Sequence, residues 1–242
     1  SSELEKRHVP HRQQMKNLIG ALQKVRKLFR DVPADYEQEK LVIGIVGEIY
    51  CRHNNFSNSD IFKLIENQGG IVWVSDVAEW VMYTTDEEQM RLKRYGKGVS
   101  FQMLGSKIRQ SVMKSDEHHL VDMFKMDFNG YEEPHHVNEV LSAAEPYMPR
   151  EGSNGEMVMS MGKTFWYHKK GAAGVIDISP FTCMNGIVTE SVYPRVSRDL
   201  GDFPIRVFYF DGVQADVESD LEIFMELAKN YKRKSLTLRE DS

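Results

Sequence analysis

Cysteine is the scarcest of the chemically versatile residues in this chain, because its 242 residues include only Cys51 and Cys183. Two cysteines cannot form a disulfide framework. They suit a reducing compartment, where a cysteine serves as a small apolar residue, a nucleophile or a metal ligand. Since a zinc or iron–sulfur site usually takes about four ligands, a cluster here would need cysteines from another segment or subunit.

Long apolar runs and a strong net charge are also missing. No stretch approaches the roughly 18 residues of a membrane span, and residues 1–10 lack the apolar core of a signal peptide. The net charge of −5 provides no general attraction to nucleic acid or to anionic membranes. We therefore predict a cytoplasmic protein with no nucleic-acid or membrane partner. The sequence begins within an amphipathic pattern, which predicts that it is part of a longer protein.

Complete nucleotide-binding glycine loops are missing too. MGKT, residues 161–164, imitates the end of a phosphate-binding loop, but Met157 stands where that motif needs glycine, and the stretch falls inside a predicted helix. GIVGE, residues 44–48, lacks the three-glycine spacing of a dinucleotide site. We therefore predict that the chain alone does not bind or hydrolyse ATP and that NAD is not its cofactor.

A regular alternation of strand and helix patterns is what the sequence does contain. Apolar runs at 41–50, 71–74, 173–179 and 204–210 predict strands, and helical patterns separate them. This order predicts an α/β fold with a doubly wound, mainly parallel four-stranded sheet, flavodoxin-like or Rossmann-like. The predicted organisation is an N-terminal helix and linker (1–40), a single α/β domain (41–232) with a helical insertion at about 84–145, and a polar tail (233–242).

Local signals predict several helix boundaries. Three pairs have the spacing of capping boxes, which mark helix starts: Ser57 with Asp60, Thr84 with Glu87, and Ser153 with Glu156. Pro134 predicts a further start. Pro194 is expected to kink the helix that follows Cys183 or to end its first part.

Loops that follow parallel strands meet at one edge of the sheet, where such folds bind ligands. Both cysteines lie in such loops, so Cys51 and Cys183 share a crevice if the first and third strands are neighbours. Cys183 also precedes a predicted helix, whose N-terminus favours the reactive thiolate. Packing as a small apolar residue is the alternative for each cysteine. His53 and Asp211 are weaker candidate metal ligands.

EGSNGE, residues 151–156, is a second candidate feature of this edge. Two glycines before a helix start leave backbone N–H groups exposed, and such groups can receive an anion. The alternative is a plain loop that enters a helix. The histidine pairs 118–119 and 135–136 are predicted to be surface residues, because adjacent helical side chains point about 100° apart and cannot chelate together.

Two long stretches resemble a known family. GIVGEIYCRHNNFSNSDIFKLIENQGGIVWVSDVAEWVMY and EGSNGEMVMSMGKTFWYHKKGAAGVIDISPFTCMNGIVTES are similar to segments of the CoA-protein activases, which are related to the 2-hydroxyacyl-CoA dehydratase system. The resemblance covers roughly residues 40–230. It implies that Cys183, in PFTCM, is an iron–sulfur cluster ligand and that the other cysteines lie in an N-terminal half of the protein.

The expected function is therefore that of a C-terminal domain of an activase-related iron–sulfur protein. It would help to hold a cluster for low-potential electron transfer or reduction, with a partner ATPase as activator and the N-terminal half or a second subunit completing the cluster. No catalytic residue is assigned, and Cys51 is a second candidate metal ligand beside Cys183. The residues expected to line the ligand-binding crevice are Glu48, Arg52, Asn54, Gly152, Ser153, Glu156 and Asp211. The alternative is a metal-free scaffold or binding module for an anionic small molecule.

Overall fold

The computed structural model of the chain describes residues 10–35, 40–128, 130–134, 136–151, 155–212 and 216–240. Its contacts divide the chain into two compact units, one of residues 1–38 with 84–132 and the other of residues 39–83 with 133–242. We call them the helical unit and the sheet unit. The strands are β1 (Leu41–Gly47), β2 (Gly70–Val74), β3 (Gly174–Pro180) and β4 (Ile205–Phe210). The helices are α1 (His11–Arg30), α2 (Ile49–His53), α3 (Ile61–Asn67), α4 (Val77–Arg94), α5 (Phe101–Val121), α6 (Val137–Ala144), α7 (Met157–Lys169), α8 (Met184–Asp199) and α9 (Val217–Glu240).

The sheet unit contains one parallel sheet in the order β2-β1-β3-β4. β1 pairs with β2 on one side and with β3 on the other, and β4 pairs with β3. The strand order therefore reverses between β1 and β3, which is where such folds form their ligand crevice. The predicted doubly wound α/β class is confirmed, and the first and third strands are neighbours.

Helices cover both faces of this sheet. Along β3, successive side chains point to opposite faces, so Ile176 and Ile178 pack towards α3 and α9, whereas Val175 packs in the cluster that includes Tyr167 of α7. Both sets are buried. Burial on two faces explains why the strand sequences show continuous apolar runs rather than alternation.

Several helix boundaries differ from those expected. α3 starts after Asp60, which has a left-handed φ of 54° and makes no side-chain cap bond. Thr84 and Glu87 lie inside α4, which begins at Val77. The capping-box pattern is short, and it occurs inside helices where the backbone N–H groups already have partners one turn earlier.

Further boundaries depend on residues outside the local patterns. α6 begins at Val137 rather than at Pro134, and α7 begins at Met157 with Glu156 as its N-cap. Ser153 lies outside the described residues. α8 runs through Pro194 without ending there. Proline removes one backbone hydrogen bond and its ring crowds the carbonyl one turn earlier, but α8 packs against β3 and β4 and continues to Asp199.

The helical unit contains α1, α5 and most of α4. Arg30 of α1 donates to Asp127 at 2.6 Å, and Arg26 contacts the same carboxylate. Ser100 caps α5 by accepting a hydrogen bond from the N–H of Met103 at 3.1 Å. The described residues of 84–145 form helices and turns and include no strand. Within the described parts of both units, no helix is long and apolar enough to cross a membrane.

Candidate functional site

The carboxyl ends of β1 and β3 lie side by side and bring two candidate loops together. The N–H of Glu48 donates to the C=O of Ile178 at 2.8 Å, which ties the loop after β1 to β3. Gly47, just before it, has a φ of 103°, and any Cβ there would collide with the backbone of Ile178. Glycine is therefore required for this close approach.

Cys51 follows the end of β1 on the short helix α2. Glu48 is the N-cap of this helix and accepts a hydrogen bond from the N–H of Cys51 at 2.7 Å. The Cys51 side chain is only 5% exposed and packs in the apolar cluster between the sheet, α3 and α9. Burial, together with the Glu48 carboxylate, raises the pKa of the Cys51 thiol to about 11. Cys51 is therefore a protonated core residue at neutral pH.

Cys183 follows the end of β3 and is the N-cap of α8, so it does precede a helix as the sequence predicts. It is half-buried, and its thiol makes no capping hydrogen bond. The preceding Thr182 has a left-handed φ of 70°, which is unusual for a β-branched residue. The tight turn thus places a partly accessible thiol at the N-terminus of α8.

Arg52 extends from α2 into the interior of the sheet unit. Its side chain is 2% exposed, and its Nη1 donates to the C=O of Ser75, just beyond β2, at 2.8 Å. Its Nε is buried and has no hydrogen-bond partner among the described residues. A buried guanidinium with an unused donor is costly unless carboxylates lie close to it.

Asp177, in the middle of β3, is such a carboxylate, and sequence reasoning missed it. It is 1% exposed, and its Oδ2 accepts hydrogen bonds from Thr189 at 3.0 Å and from Tyr193 at 2.7 Å. Its Oδ1 is buried without a partner among the described residues. Burial raises the pKa of Asp177, although these hydrogen bonds and Arg52 oppose that rise. The available signal was an aspartate inside the apolar strand VIDIS.

Glu156, the N-cap of α7, lies within the same group of charges. Burial raises its pKa to about 7; Arg52 and the N–H of Ile49 lower it, whereas Glu48 and Asp177 raise it further. A Cβ at the neighbouring Gly155 would lie only 2.9 Å from Oδ1 of Asn185. The loop before α7 therefore approaches the turn that carries Cys183.

The remaining expected crevice residues are less informative. The side chain of Asn54 donates to the Tyr50 hydroxyl at 2.8 Å and accepts from the N–H of Ser57 at 3.0 Å, so it holds the turn after α2. Asp211 is exposed just beyond β4. Gly152 and Ser153 lie outside the described residues. The structure thus groups Glu48, Arg52 and Glu156, adds Asp177, and gives Asn54 a local structural role.

A cavity of about 1010 Å³ opens at the same edge, on the α3 and α9 side. Its lining includes Glu48, Cys51, Pro180, Tyr209 and Asp216. This volume lies near the upper end of the range for small-molecule sites. The charged side chains that line it among the described residues are all acidic, so the cavity itself favours a neutral or cationic ligand.

Lys163 forms a second buried charge cluster, which sequence reasoning also missed. Its side chain is 0% exposed; its ammonium contacts the Glu133 carboxylate and lies 3.3 Å from Oε2 of Glu79. Glu133 also accepts a hydrogen bond from Trp73 Nε1 at 2.7 Å. The available signal was Lys163 within MGKT, which lies inside α7, where its ammonium contacts carboxylates.

Metal ligands are sparse around these clusters. No group of three or more histidine, cysteine, aspartate or glutamate side chains that could hold a metal ion occurs among the described residues. Cys183 can supply one ligand, so the described residues provide one of the about four ligands of an iron–sulfur cluster and not the full set.

Comparison of the chain with protein-family models, with curated proteins and with solved structures finds no match in any of the three.

Proposed function

We propose that this chain is the C-terminal domain of an activase-related iron–sulfur protein. In this proposal Cys183 supplies one ligand of a cluster, and thiolates from an N-terminal half or a second subunit supply the others. The whole protein carries out low-potential electron transfer or small-substrate reduction, driven by a separate ATPase. The observation that carries the proposal is the position of Cys183, half-buried at the N-terminus of α8 where the strand order reverses.

The different surroundings of the two cysteines support Cys183 as the ligand. A cluster needs a thiolate that another polypeptide can reach. Cys51 is 5% exposed, and burial raises its pKa to about 11. Cys183 lies in a turn flanked by the exposed side chains of Phe181 and Met184.

Glu156 supports a reductive role for the same edge. Reduction of a bound substrate consumes protons as well as electrons, and an acid works best when its pKa lies near the operating pH. The pKa of Glu156 is about 7, and the loop that carries it approaches the Cys183 turn through Gly155 and Asn185. Glu156 is therefore the proposed proton donor, whereas the cluster supplies electrons when bound.

The test is iron and sulfide analysis of the protein at its natural length, purified without oxygen. We expect Cys183→Ser to lose most of the iron and Cys51→Val to retain it, because valine preserves the apolar packing at position 51. Thiol-reagent labelling of the folded chain should modify Cys183 quickly and Cys51 slowly. Iron content that is unchanged by Cys183→Ser would overturn the proposal.

A metal-free binding module is the second candidate, and the cavity of about 1010 Å³ at the edge favours it. The acidic lining of that cavity suits a neutral or cationic ligand. An anion would have to bind elsewhere on the edge, as expected for residues 151–156. Wild-type protein that contains no iron after anaerobic purification would favour this candidate.

A further inference from the structure

We propose that the end of the α4–α5 hairpin docks on an anionic lipid surface and inserts apolar side chains into it. α4 ends at Arg94 and α5 begins at Phe101, and Ser106 of α5 donates to Glu88 of α4 at 3.0 Å, so the two helices form a hairpin. We call residues 91–108 the hairpin tip. The inference concerns the helical unit and is independent of any cluster at Cys183.

The charge of this hairpin is opposite to that of the chain. Residues 90–114 contain no aspartate or glutamate. They contain seven cationic residues: Arg91, Lys93, Arg94, Lys97, Lys107, Arg109 and Lys114. Since the whole chain has a net charge of −5, the other residues together carry −12. The prediction of no membrane partner used the net charge of the whole chain, which averages over these two opposite regions.

Most cations of the hairpin tip are not neutralised within the protein. All five Lys and Arg side chains of the tip are exposed, and none forms an ion pair with a described residue: Arg91, Lys93, Arg94, Lys97 and Lys107. Arg109, one residue beyond the tip, does bond Glu88, at 2.9 Å. Clustered basic residues of this kind are attracted to anionic lipid headgroups.

Apolar side chains stand among these cations. Val99 is fully exposed and Phe101 is 93% exposed. Tyr95, Leu104 and Ile108 are exposed as well. A contiguous exposed apolar patch on a protein surface marks an interaction site. The hairpin tip therefore combines apolar and cationic groups, as a surface that meets an anionic amphiphile requires.

Hydrogen bonds within the hairpin tip fix how these side chains are presented. Gly96 has a left-handed φ of 70°, and its N–H donates to the C=O of Lys93 at 3.0 Å. Ser100 donates to the C=O of Lys97 at 2.8 Å and accepts from the N–H of Met103 at 3.1 Å. A turn that is already ordered has less conformational entropy to lose on binding.

The aliphatic side chains favour lipid over nucleic acid. Lysine and arginine bind the phosphates of either partner, and exposed aromatic rings can stack on bases. Val99, Leu104 and Ile108 have no ring to stack, so a nucleic acid would leave them in water. Acyl chains bury aliphatic and aromatic side chains alike, while the cations stay among the headgroups.

The position of the apolar groups favours a bilayer over an acidic helix. Amphipathic helices are received in apolar grooves. The recess at the tip, of about 550 Å³, is lined by residues 98–101, 103, 104 and 107 alone, so it is not a groove between two helices. Tyr95 and Val99 lie in the turn itself, so the apolar surface covers the end of the hairpin, which a bilayer can take up directly.

α1 gives the helical unit a second segment of the same chemistry. It contains six lysine and arginine residues and no aspartate or glutamate, and none of its residues is buried. Its exposed apolar side chains include Leu18, Val25, Leu28 and Phe29. Basic amphipathic helices lie in the headgroup region of anionic membranes.

Flotation with lipid vesicles tests the proposal. We expect the chain to bind phosphatidylcholine vesicles that contain about 30% phosphatidylserine, and not vesicles of phosphatidylcholine alone. Phe101→Ser should lower the partition coefficient about tenfold, because it removes an inserted aromatic ring. Phe56→Ser is the matched control: Phe56 is 94% exposed but lines the acidic cavity of the sheet unit, so binding should not change.

A double substitution tests the contribution of charge. Lys93→Gln with Lys97→Gln should lower the partition coefficient about tenfold or more. The matched control is Lys63→Gln with Lys229→Gln, because these lysines are paired with Asp60 at 3.0 Å and with Glu226 at 2.6 Å. This control variant should bind the anionic vesicles as the wild type does.

A fluorescent label distinguishes insertion from adhesion by charge. We expect Val99→Cys, in a Cys183→Ser background and labelled with a polarity-sensitive dye, to shift its emission to the blue on anionic vesicles. Phe56→Cys, labelled in the same background, should show no shift. Absence of binding to the anionic vesicles, or binding that Phe101→Ser leaves unchanged without an emission shift at position 99, overturns the proposal. A chain that binds single-stranded poly(U) or polyglutamate but not the vesicles overturns it in favour of a nucleic acid or an acidic protein.

Discussion

Ionisable side chains at the carboxyl ends of β1 and β3 are buried more deeply than charged groups usually are. Arg52 is 2% exposed and Asp177 is 1% exposed, and each keeps one buried polar atom without a hydrogen bond among the described residues. Burial destabilises the charged form of a carboxyl group. Burial therefore raises the pKa values of Glu156 and Asp177, and Arg52 opposes the rise of both.

Glu156 should therefore make the stability of the chain pH-dependent. Its pKa rises from 4.5 to about 7 on folding, so between these values the folded state binds a proton that the unfolded state releases. This contribution to the free energy of unfolding is fully present below about pH 4.5, decreases as the pH rises, and is lost above about pH 7. We expect Glu156→Gln, which stays neutral, to weaken this dependence.

Urea unfolding at about pH 5 and about pH 8 measures this effect. The difference in unfolding free energy between the two pH values should be smaller in Glu156→Gln than in the wild type. Glu151→Gln is the matched control, because Glu151 is exposed and its replacement should leave the difference unchanged. Equal pH dependence in the wild type and Glu156→Gln would contradict the prediction.

At the scale of elements, the packing of α6 against α7 depends on a glycine. A Cβ at Gly162 would collide with the backbone C=O of Val140 in α6. Glycine normally destabilises a helix interior by about 0.5–1 kcal/mol relative to alanine. Here the missing side chain permits close helix contact, which explains a glycine inside α7 without any role in phosphate binding.

Gly162→Ala should therefore destabilise the chain despite the higher helix propensity of alanine. Forcing a methyl group into a packed contact typically costs about 1–3 kcal/mol. Gly105→Ala in α5 is the matched control, because a Cβ there meets no atom within 4 Å, and it should stabilise its helix by about 0.5–1 kcal/mol. Chemical denaturation of both variants measures their free energies of unfolding, which should fall for Gly162→Ala and rise for Gly105→Ala. A higher free energy of unfolding for Gly162→Ala would contradict the contact between Gly162 and Val140.

At the scale of the whole molecule, the residues of the sheet unit that precede and follow residues 84–132 are held by the same lysine. The helical unit takes residues 84–132 from the middle of the chain. Glu79 precedes that segment and Glu133 follows it, and both carboxylates contact the ammonium of Lys163. The buried ammonium of Lys163 in α7 thus contacts one carboxylate before residues 84–132 and one after them.

The sheet unit should fold without the helical unit. Its two apolar clusters, on either face of the sheet, are formed by residues within 39–83 and 133–242. A short glycine-serine linker from Tyr83 to Glu133 can replace residues 84–132, because Lys163 holds Glu79 and Glu133 together. We expect this shortened chain, starting at Glu39, to show an α/β circular dichroism spectrum and one cooperative urea transition.

A control isolates the contribution of Lys163. In the same shortened chain, Lys163→Met leaves the buried carboxylate of Glu79 and the half-buried carboxylate of Glu133 without their cation, and breaking a buried ion pair typically costs about 3–5 kcal/mol. It should unfold at a lower urea concentration than the shortened chain with Lys163. A shortened chain that shows no cooperative transition would contradict the independence of the sheet unit.

Much of the fold could be predicted from the sequence because it depends on local patterns. The apolar runs locate all four strands, and their alternation with helices predicts the parallel class. The position of Cys183 before a helix follows from the same local order. Helix starts at Thr84 and Pro134 were wrong, because short capping patterns do not include the neighbouring turns that decide where a helix begins.

The sequence by itself determined the class of the sheet and the position of both cysteines just after β1 and β3; the predicted loop at Cys51 is in fact the short helix α2. Only the tertiary structure decided that Cys51 is buried, that Arg52 and Asp177 lie close to Glu156, and that Lys163 binds Glu79 and Glu133. Strand and helix patterns reflect neighbours within one turn or one pleat. Burial and charge pairing depend instead on residues far apart in the chain, such as Glu133 and Lys163, which meet only when the sheet and its helices have packed.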